Sequence, residues 1–439
     1  MSLIINLIAA VILFLVPIQV YRKGGDRIVN SPIDRDARIS ISFELYFLVY
    51  SVLTAMVFLG PLSLTKYVFW ILFLLFLTLS RRIEIRLGAI VWTYILFLAW
   101  AALSALLWST ARFQALMMLI KYALPLFYLW LGYTAINDSD DLLYFMKKTA
   151  IGMCVYALII GGFSDIFLTP LYLFLNWGSG KLFISYASLA DYFSGLIVVP
   201  ICLFIITKDK KWLYATAWVV LSTILETVRT GLGGIFLASS FFLLAVYRGK
   251  AIPWIAGLCV AAVVAVFTIP SFHEKMFVDE NVTISTFSTS DANFENIDSN
   301  ARDFLWEINM ARFYYPSPVI GSGLGSVSDF MKSTKDTDLE QVHSDYVQIL
   351  CDLGIIGIIL FGIFFITTFC SIIKDAWSKN SPYVLILAGA MALGSCAGTF
   401  FSMAFDNVVA YAQQSFVLPF ILIGIYLKIK DLNKANQWE

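Results

Sequence analysis

"HSDYVQILCDLGIIGIILF", residues 343–361, opens a run that stays almost wholly apolar from Tyr346 to Ile373. An α-helix needs about 20 apolar residues to cross a hydrocarbon core of about 30 Å, so the run is long enough to span a membrane. The residues before it are polar and loop-like. His343, one of only two histidines in 439 residues, therefore stands where an aqueous loop meets a membrane helix.

Similar apolar runs lie near 2–20, 41–60, 65–79, 88–108, 114–135, 149–168, 188–206, 212–228, 231–247, 252–270, 382–405 and 413–427. With 60% hydrophobic and 14% charged residues and a mean hydropathy of +0.81, the chain has too much apolar surface for water. The expectation is an all-α polytopic integral membrane protein with about 12–14 transmembrane helices. A transmembrane β-barrel is excluded, because its strands would alternate in polarity over about 10 residues. The first run lacks a basic leader and a small-residue cleavage site, so it reads as a retained helix.

Charge placement orders these helices. Arg22, Lys23, Arg27, Arg35 and Arg38 share one loop, and Arg81, Arg82 and Arg86 another. Lys147 and Lys148, Lys208, Lys210 and Lys211, Arg248 and Lys250, Lys374 and Lys379, and Lys428, Lys430 and Lys434 follow. All fall on one side if the helices alternate, and the positive-inside rule makes that side the cytoplasm. The N-terminus then faces outward and the C-terminus inward. The chain divides into about ten helices over 1–270, an outward loop over 271–345, and about three helices with a cytoplasmic tail over 346–439.

Within the loop, "ARDFLWEINMARFYY" places Phe304, Leu305, Ile308 and Ala311 at helical spacing, as in a short amphipathic helix on the membrane face. It stops at Pro316 and Pro318, and "GSGLGS" (321–326) follows. That run lacks the Lys-Ser/Thr of a phosphate loop and no strand precedes it; its glycines suit a backbone turning tightly beside another element. The six cysteines all sit in apolar runs without metal-ligand spacing.

Ionisable groups within or at the ends of spans are costly and point to a site. Lys121 lies inside the fifth span, Arg229 follows Glu226 at the outward junction of two spans, and Asp406 ends the penultimate one. Arg302 and Arg312 are on the loop helix. Arg229, Arg302 and His343 form an outward cationic set suited to an anionic ligand presented from the membrane, since arginine holds phosphate bidentately. Imidazole titrates near neutral pH and suits proton transfer from a hydroxyl. Trp306, Tyr314, Tyr315 and Tyr346 are candidates for stacking on sugar faces, although aromatics also gather at membrane interfaces without any ligand.

Three stretches together resemble the O-antigen polymerase/ligase superfamily of bacterial membrane glycosyltransferases: "TVRTGLGGIFL" (227–237), "NARDFLWEINMARFYYPSPVIGSGLGS" (300–326) and the quoted 343–361. Two positions depart from the family pattern, Ser344 and Asp352. The resemblance implies a GT-C-like helical fold whose long periplasmic loop closes over a lipid-facing cavity. It implies an undecaprenyl-pyrophosphate-linked glycan donor and acceptor in the inner membrane, used without cofactor, nucleotide sugar or metal. It further implies that Arg229 and Arg302 hold the donor pyrophosphate and that His343 orients or deprotonates the acceptor hydroxyl, with inversion. Lys121, Glu226, Trp306, Arg312, Tyr314, Tyr315 and Tyr346 are then the substrate-binding candidates, and membrane lipids and a chain-length-regulating membrane protein the expected partners. Nucleic acid is not expected.

Among the members of that superfamily, "RDFLW" and "HSDYVQIL" look closer to a polymerase (Wzy-type), which joins lipid-linked repeat units, than to a ligase, which moves the finished chain to lipid A-core. A transporter or flippase would place broken or charged helices at matched positions of two halves. Here the charges converge on one outward loop.

Overall fold

The computed structural model describes residues 27–30, 38–55, 88–161, 186–277, 302–333, 342–410 and 412–434. The apolar runs expected near 2–20 and 65–79, and the loop segment 278–301, lie outside them. A short antiparallel pair, β1 (Arg27–Asn30) and β2 (Arg38–Ile41), precedes helix α1 (Phe43–Leu53). The rest of the described chain is helical: α2 (Ala89–Leu107), α3 (Arg112–Ala135), α4 (Ser139–Ile159), α5 (Tyr186–Leu196), α6 (Val198–Thr207), α7 (Lys210–Leu225), α8 (Arg229–Tyr247), α9 (Ile252–Thr268) and α10 (Pro270–Met276). After the loop come α11 (Arg302–Asn309), α12 (Ser326–Ser333), α13 (Asp345–Trp377), α14 (Tyr383–Phe405), α15 (Gln413–Phe416) and α16 (Leu418–Lys434). Among the described residues seven helical stretches are long and apolar enough to cross a membrane. One of these is 229–268, whose two halves α8 and α9 meet at a 3₁₀ turn where Arg248 takes φ 56°.

The core is a bundle in which α5, α8 and α14 pack closely. A Cβ on Gly398 would lie 2.3 Å from the Ser194 carbonyl oxygen of α5 and 3.0 Å from the Gly234 carbonyl oxygen of α8. Lipid tails are as apolar as leucine, so membrane helices associate through such close van der Waals packing of small residues. Contacts run antiparallel along the pair, from Gly233 against Phe401 to Phe242 against Gly394. One turn further, the start of α8 at Arg229 is level with Ser402–Phe405. A second set of helices closes around an aromatic cluster. Phe364 of α13 stacks on Phe420 of α16 at 5.3 Å, and Tyr94 of α2 is 4.9 Å and 4.7 Å from them.

These registers sort the helix ends onto two faces. His343, Asp406, Arg229 and the α2–α3 connection lie at one face. At the other, the Arg248 guanidinium donates to the Ala376 and Ser378 carbonyls, both at 3.4 Å, and Lys430 pairs with Asp375 at 2.6 Å. The basic clusters at the ends of α6, α8, α13 and α16 therefore share the face opposite His343, as the charge count requires.

The loop helix differs from expectation. It forms at α11 and ends before Pro316, but continues through a π-helical turn, Met310–Tyr314. It buries Leu305 and Asn309, while Phe304 and Ala311 are exposed. The reason is a small second core of Leu305, Val327, Met331, Val342 and Cys351, which turns the helix by its Leu305–Asn309 edge.

Candidate active site

Helix α13 starts where Ser344 caps it, accepting the Val347 N–H at 3.3 Å. His343, just before, has φ 55°, a left-handed conformation uncommon for any residue with a Cβ. Such a conformation persists only where the surroundings hold it, and here the connection after α14 does so. The His343 N–H donates to Asn407 Oδ1 at 2.5 Å, and its ring Nδ1 lies 3.3 Å from Asp406 Oδ1. Asp406 Oδ1 also accepts the Asn407 N–H at 3.0 Å. The Asn407 amide nitrogen donates to Gln348 Oε1 at 3.1 Å, and Gln348 Nε2 to Ser328 Oγ at 2.8 Å. Asp345 Oδ2 takes the Val409 N–H at 3.1 Å. The imidazole keeps 29% exposure while the Asp406 side chain keeps 6%, so the ring is anchored through Nδ1 and still partly accessible.

Lys121 belongs to the same clasp. Its ammonium donates to the Ala410 carbonyl, and its own carbonyl accepts from Gln413 Nε2 at 2.5 Å. A cation inside a span is thus used to tie α3 to the segment that positions His343. Tyr346 is likewise engaged: its hydroxyl donates to the Phe400 carbonyl at 2.8 Å.

Arg302 opens α11, and Trp306 one turn on donates its indole N–H to the Val342 carbonyl at 3.0 Å. That bond ties the loop helix to the residue before His343. Arg312 places its guanidinium over the Phe330 ring at 4.2 Å, a cation–π contact at an exposed position. Tyr314 packs on the second core, and Tyr315, its ring 5.7 Å away, is 65% exposed. Glu226 ends α7, and Thr227 between it and Arg229 takes φ 51° and receives the Lys275 ammonium.

The structure adds Asp191, on α5, which has 1% exposure. Its Oδ2 is buried and makes no geometrically good hydrogen bond among the described residues. The carboxyl groups of Asp406 and Asp345, the Arg302 guanidinium and the Ser402 hydroxyl lie in its neighbourhood. Gly231, two residues into α8 from Arg229, packs on the neighbouring Ala190, where a Cβ would come within 2.3 Å of the alanine Cβ. The helix starts and ends carrying Arg229, Asp191, Asp406 and His343 thus meet at one face, with Arg302 beside them. Sequence reasoning missed Asp191, for which the available signal was a lone carboxylate in the 188–206 apolar run. Asn407 and Gln348 carried no local signal, because their roles exist only where α13 meets the 406–410 segment.

The 321–326 turn is a docking device. Gly321, Gly323 and Gly325 all have positive φ, and the turn lies against a break in α13 at Gly354, φ 67° and ψ −169°. A Cβ on Gly321 would sit 2.5 Å from the Asp352 carbonyl oxygen, so glycine is required there by conformation and by space. The turn donates the Ser322 N–H to the Cys351 carbonyl at 2.9 Å and the Gly323 N–H to the Asp352 carbonyl at 3.0 Å. In return the Asp352 carboxylate accepts the Gly325 N–H at 2.9 Å and the Val327 N–H at 3.0 Å, capping the start of α12. The Trp100 indole donates to the Leu353 carbonyl at 3.0 Å, satisfying a group released by the break.

Residues 214–362 match the family model described as O-antigen ligase (Wzy_C). No curated protein matches the chain. The matched segment contains Arg229, Arg302, His343 and Asp352, the residues that assemble the site and dock its loop. Over residues 214–362 the chain is thus similar to the O-antigen ligase family model, and seven helical stretches among the described residues are long and apolar enough to cross a membrane.

Proposed function

We propose that this protein joins undecaprenyl-pyrophosphate-linked oligosaccharide repeat units into O-antigen or a related surface polysaccharide at the periplasmic face of the inner membrane. The observation that carries the reading is the His343–Asp406 pair, set at a helix start on the face opposite the basic clusters and beside Arg302 and the Arg229 end of α8. The positive-inside rule assigns that face to the periplasm, where the headgroup of a lipid-linked donor would sit.

Each group has a task. With the Nδ1–H of His343 donated to Asp406, the Nε2 lone pair is free to take a proton from an acceptor hydroxyl, and Asp406 stabilises the imidazolium that forms. The deprotonating oxygen attacks the anomeric carbon while the carbon–oxygen bond to pyrophosphate breaks on the opposite face, inverting the centre. Arg302 and Arg229 neutralise the charge growing on the departing pyrophosphate, an electrostatic contribution that is often the largest in such reactions. Arg312, Tyr315 and Phe304 lie on the exposed side of the loop helix, where a glycan leaving the membrane would pass.

Asp406→Asn is expected to lower transfer roughly ten-fold, the effect of about 1.4 kcal/mol of lost imidazolium stabilisation and orientation, with no change in melting temperature. An undiminished rate in that variant would detach Asp406 from the mechanism.

The deciding experiment is reconstitution of purified protein with a lipid-pyrophosphate-linked repeat unit as sole substrate, products resolved by length. A ladder identifies a polymerase. The ligase reading is favoured by the description of the matching family model. It requires no ladder, and transfer once lipid A-core is supplied. Silence in both arms with folded protein and the native repeat unit would remove both.

A further inference from the structure

A second feature lies far from His343, on the lipid-facing side of α4 and α7. These helices run parallel, with the Trp218 indole donating to the Cys154 carbonyl at 3.3 Å and the Ser222 hydroxyl to the Ala157 carbonyl at 3.3 Å. Between them lies a groove of about 570 Å³. One wall is Ile151, Cys154, Val155 and Leu158, and the other Lys211, Trp212, Ala215 and Trp218. Each wall runs over eight residues, a rise of about 10 Å along the axis. Ile151, Val155 and Leu158 are more than 40% exposed, so the groove opens sideways.

One end of the groove is apolar and the other is cationic. The register between the helices puts Lys147 and Lys148 level with Trp212. On a helix, residues three, four and seven apart share a stripe, so Lys147 and Lys148 head the same stripe as Ile151, Cys154 and Val155. Lys211 heads the opposite wall, next to Lys210. The carboxylate that faces this group is Asp209, paired with Lys211 at 2.7 Å and held below its ordinary pKa by the Lys211 side chain and N–H. On α4 the same stripe also carries Asp140 and Asp141, two turns before Lys147 and Lys148, so the three carboxylates Asp209, Asp140 and Asp141 stand against the four lysines and the mouth keeps a small positive excess.

We infer that this groove is a binding site for an anionic diacyl phospholipid, with one acyl chain between α4 and α7 and its phosphate at Lys147, Lys148 and Lys211. The chemistry matches part by part. Isoleucine, valine, leucine and tryptophan surface takes the chain, and lysine ammonium groups take the phosphate. Lysine stems also lie along apolar surface while their heads reach the headgroup layer. The face is the one rich in basic residues, where anionic lipid is attracted.

The inference does not rest on the glycosyl-transfer reading, and its test reads bound lipid with no turnover. Full-length protein in mixed micelles of equimolar phosphatidylglycerol and phosphatidylcholine would be analysed by native mass spectrometry. The wild type is expected to retain phosphatidylglycerol roughly ten-fold over phosphatidylcholine, a difference of about 1.4 kcal/mol. The combined variant Lys147→Gln, Lys148→Gln, Lys211→Gln should bring the ratio to near parity. Ala215→Trp, which fills the groove and leaves the lysines, should lose the bound lipid. Val155→Trp fills it from α4 and serves if the first variant does not fold. Parity in the wild type, or full phosphatidylglycerol retention in the folded groove-filling variant, would overturn the assignment.

Discussion

Replacing His343 with alanine is expected to lower transfer about 10²–10⁴-fold, the contribution typical of a positioned general base, while the protein stays folded in the membrane. The ring is partly exposed, and the bond to Asn407 is made by the backbone N–H, which the substitution keeps. His343→Gly sharpens the test. Glycine adopts φ 55° without steric cost, so this variant should be as inactive as alanine and at least as stable. Loss of activity together with unchanged or raised melting temperature separates chemistry from folding. Near-normal product from either variant would remove His343 from the mechanism, and with it the proposed role of Asp406.

The second large effect is on stability. Asp352→Leu leaves the Gly325 and Val327 N–H groups without their acceptor in a buried place. Each orphaned donor costs about 1–3 kcal/mol, so the local loss is about 2–6 kcal/mol. The 316–325 turn should detach from the Gly354 break, and α11 with Arg302 and Trp306 should lose its support. The readouts are a lowered melting temperature and faster limited proteolysis between 302 and 333, with transfer falling in parallel. Asp352→Asn keeps one acceptor oxygen and should fall between. If the leucine variant melts and resists protease like wild type, Asp352 does not hold the turn. The two histidine variants and this one thus differ in kind, one losing chemistry at constant stability and the other losing both.

Much of the architecture is legible without coordinates, because a bilayer restricts the answer so strongly. Runs of about 20 apolar residues have one stable form in hydrocarbon, and the asymmetry of lysine and arginine orders them. The break between the 231–247 and 252–270 runs, the short loop helix ending before Pro316 and the tight backbone approach at 321–325 were all read from local composition and glycine placement. His343 was legible by its position at a polar-to-apolar boundary.

What composition cannot carry is the far partner of each group. Trp306 read as a surface for sugars, yet its indole holds the Val342 carbonyl; Lys121 read as a ligand group, yet its ammonium holds Ala410. The loop helix turned its Leu305–Asn309 edge inward because of Val327, Met331 and Cys351, which are distant in sequence. Asp191 became part of the site only through the crossing of α5, α8 and α14, and Asn407 only where the 406–410 segment meets the start of α13. Sequence alone determined which runs are apolar enough to form membrane-crossing helices, since that depends on transfer free energy summed over neighbouring residues. The tertiary structure decided which polar groups meet, since inside a low-dielectric bundle each must find a partner and the partner is chosen by helix register.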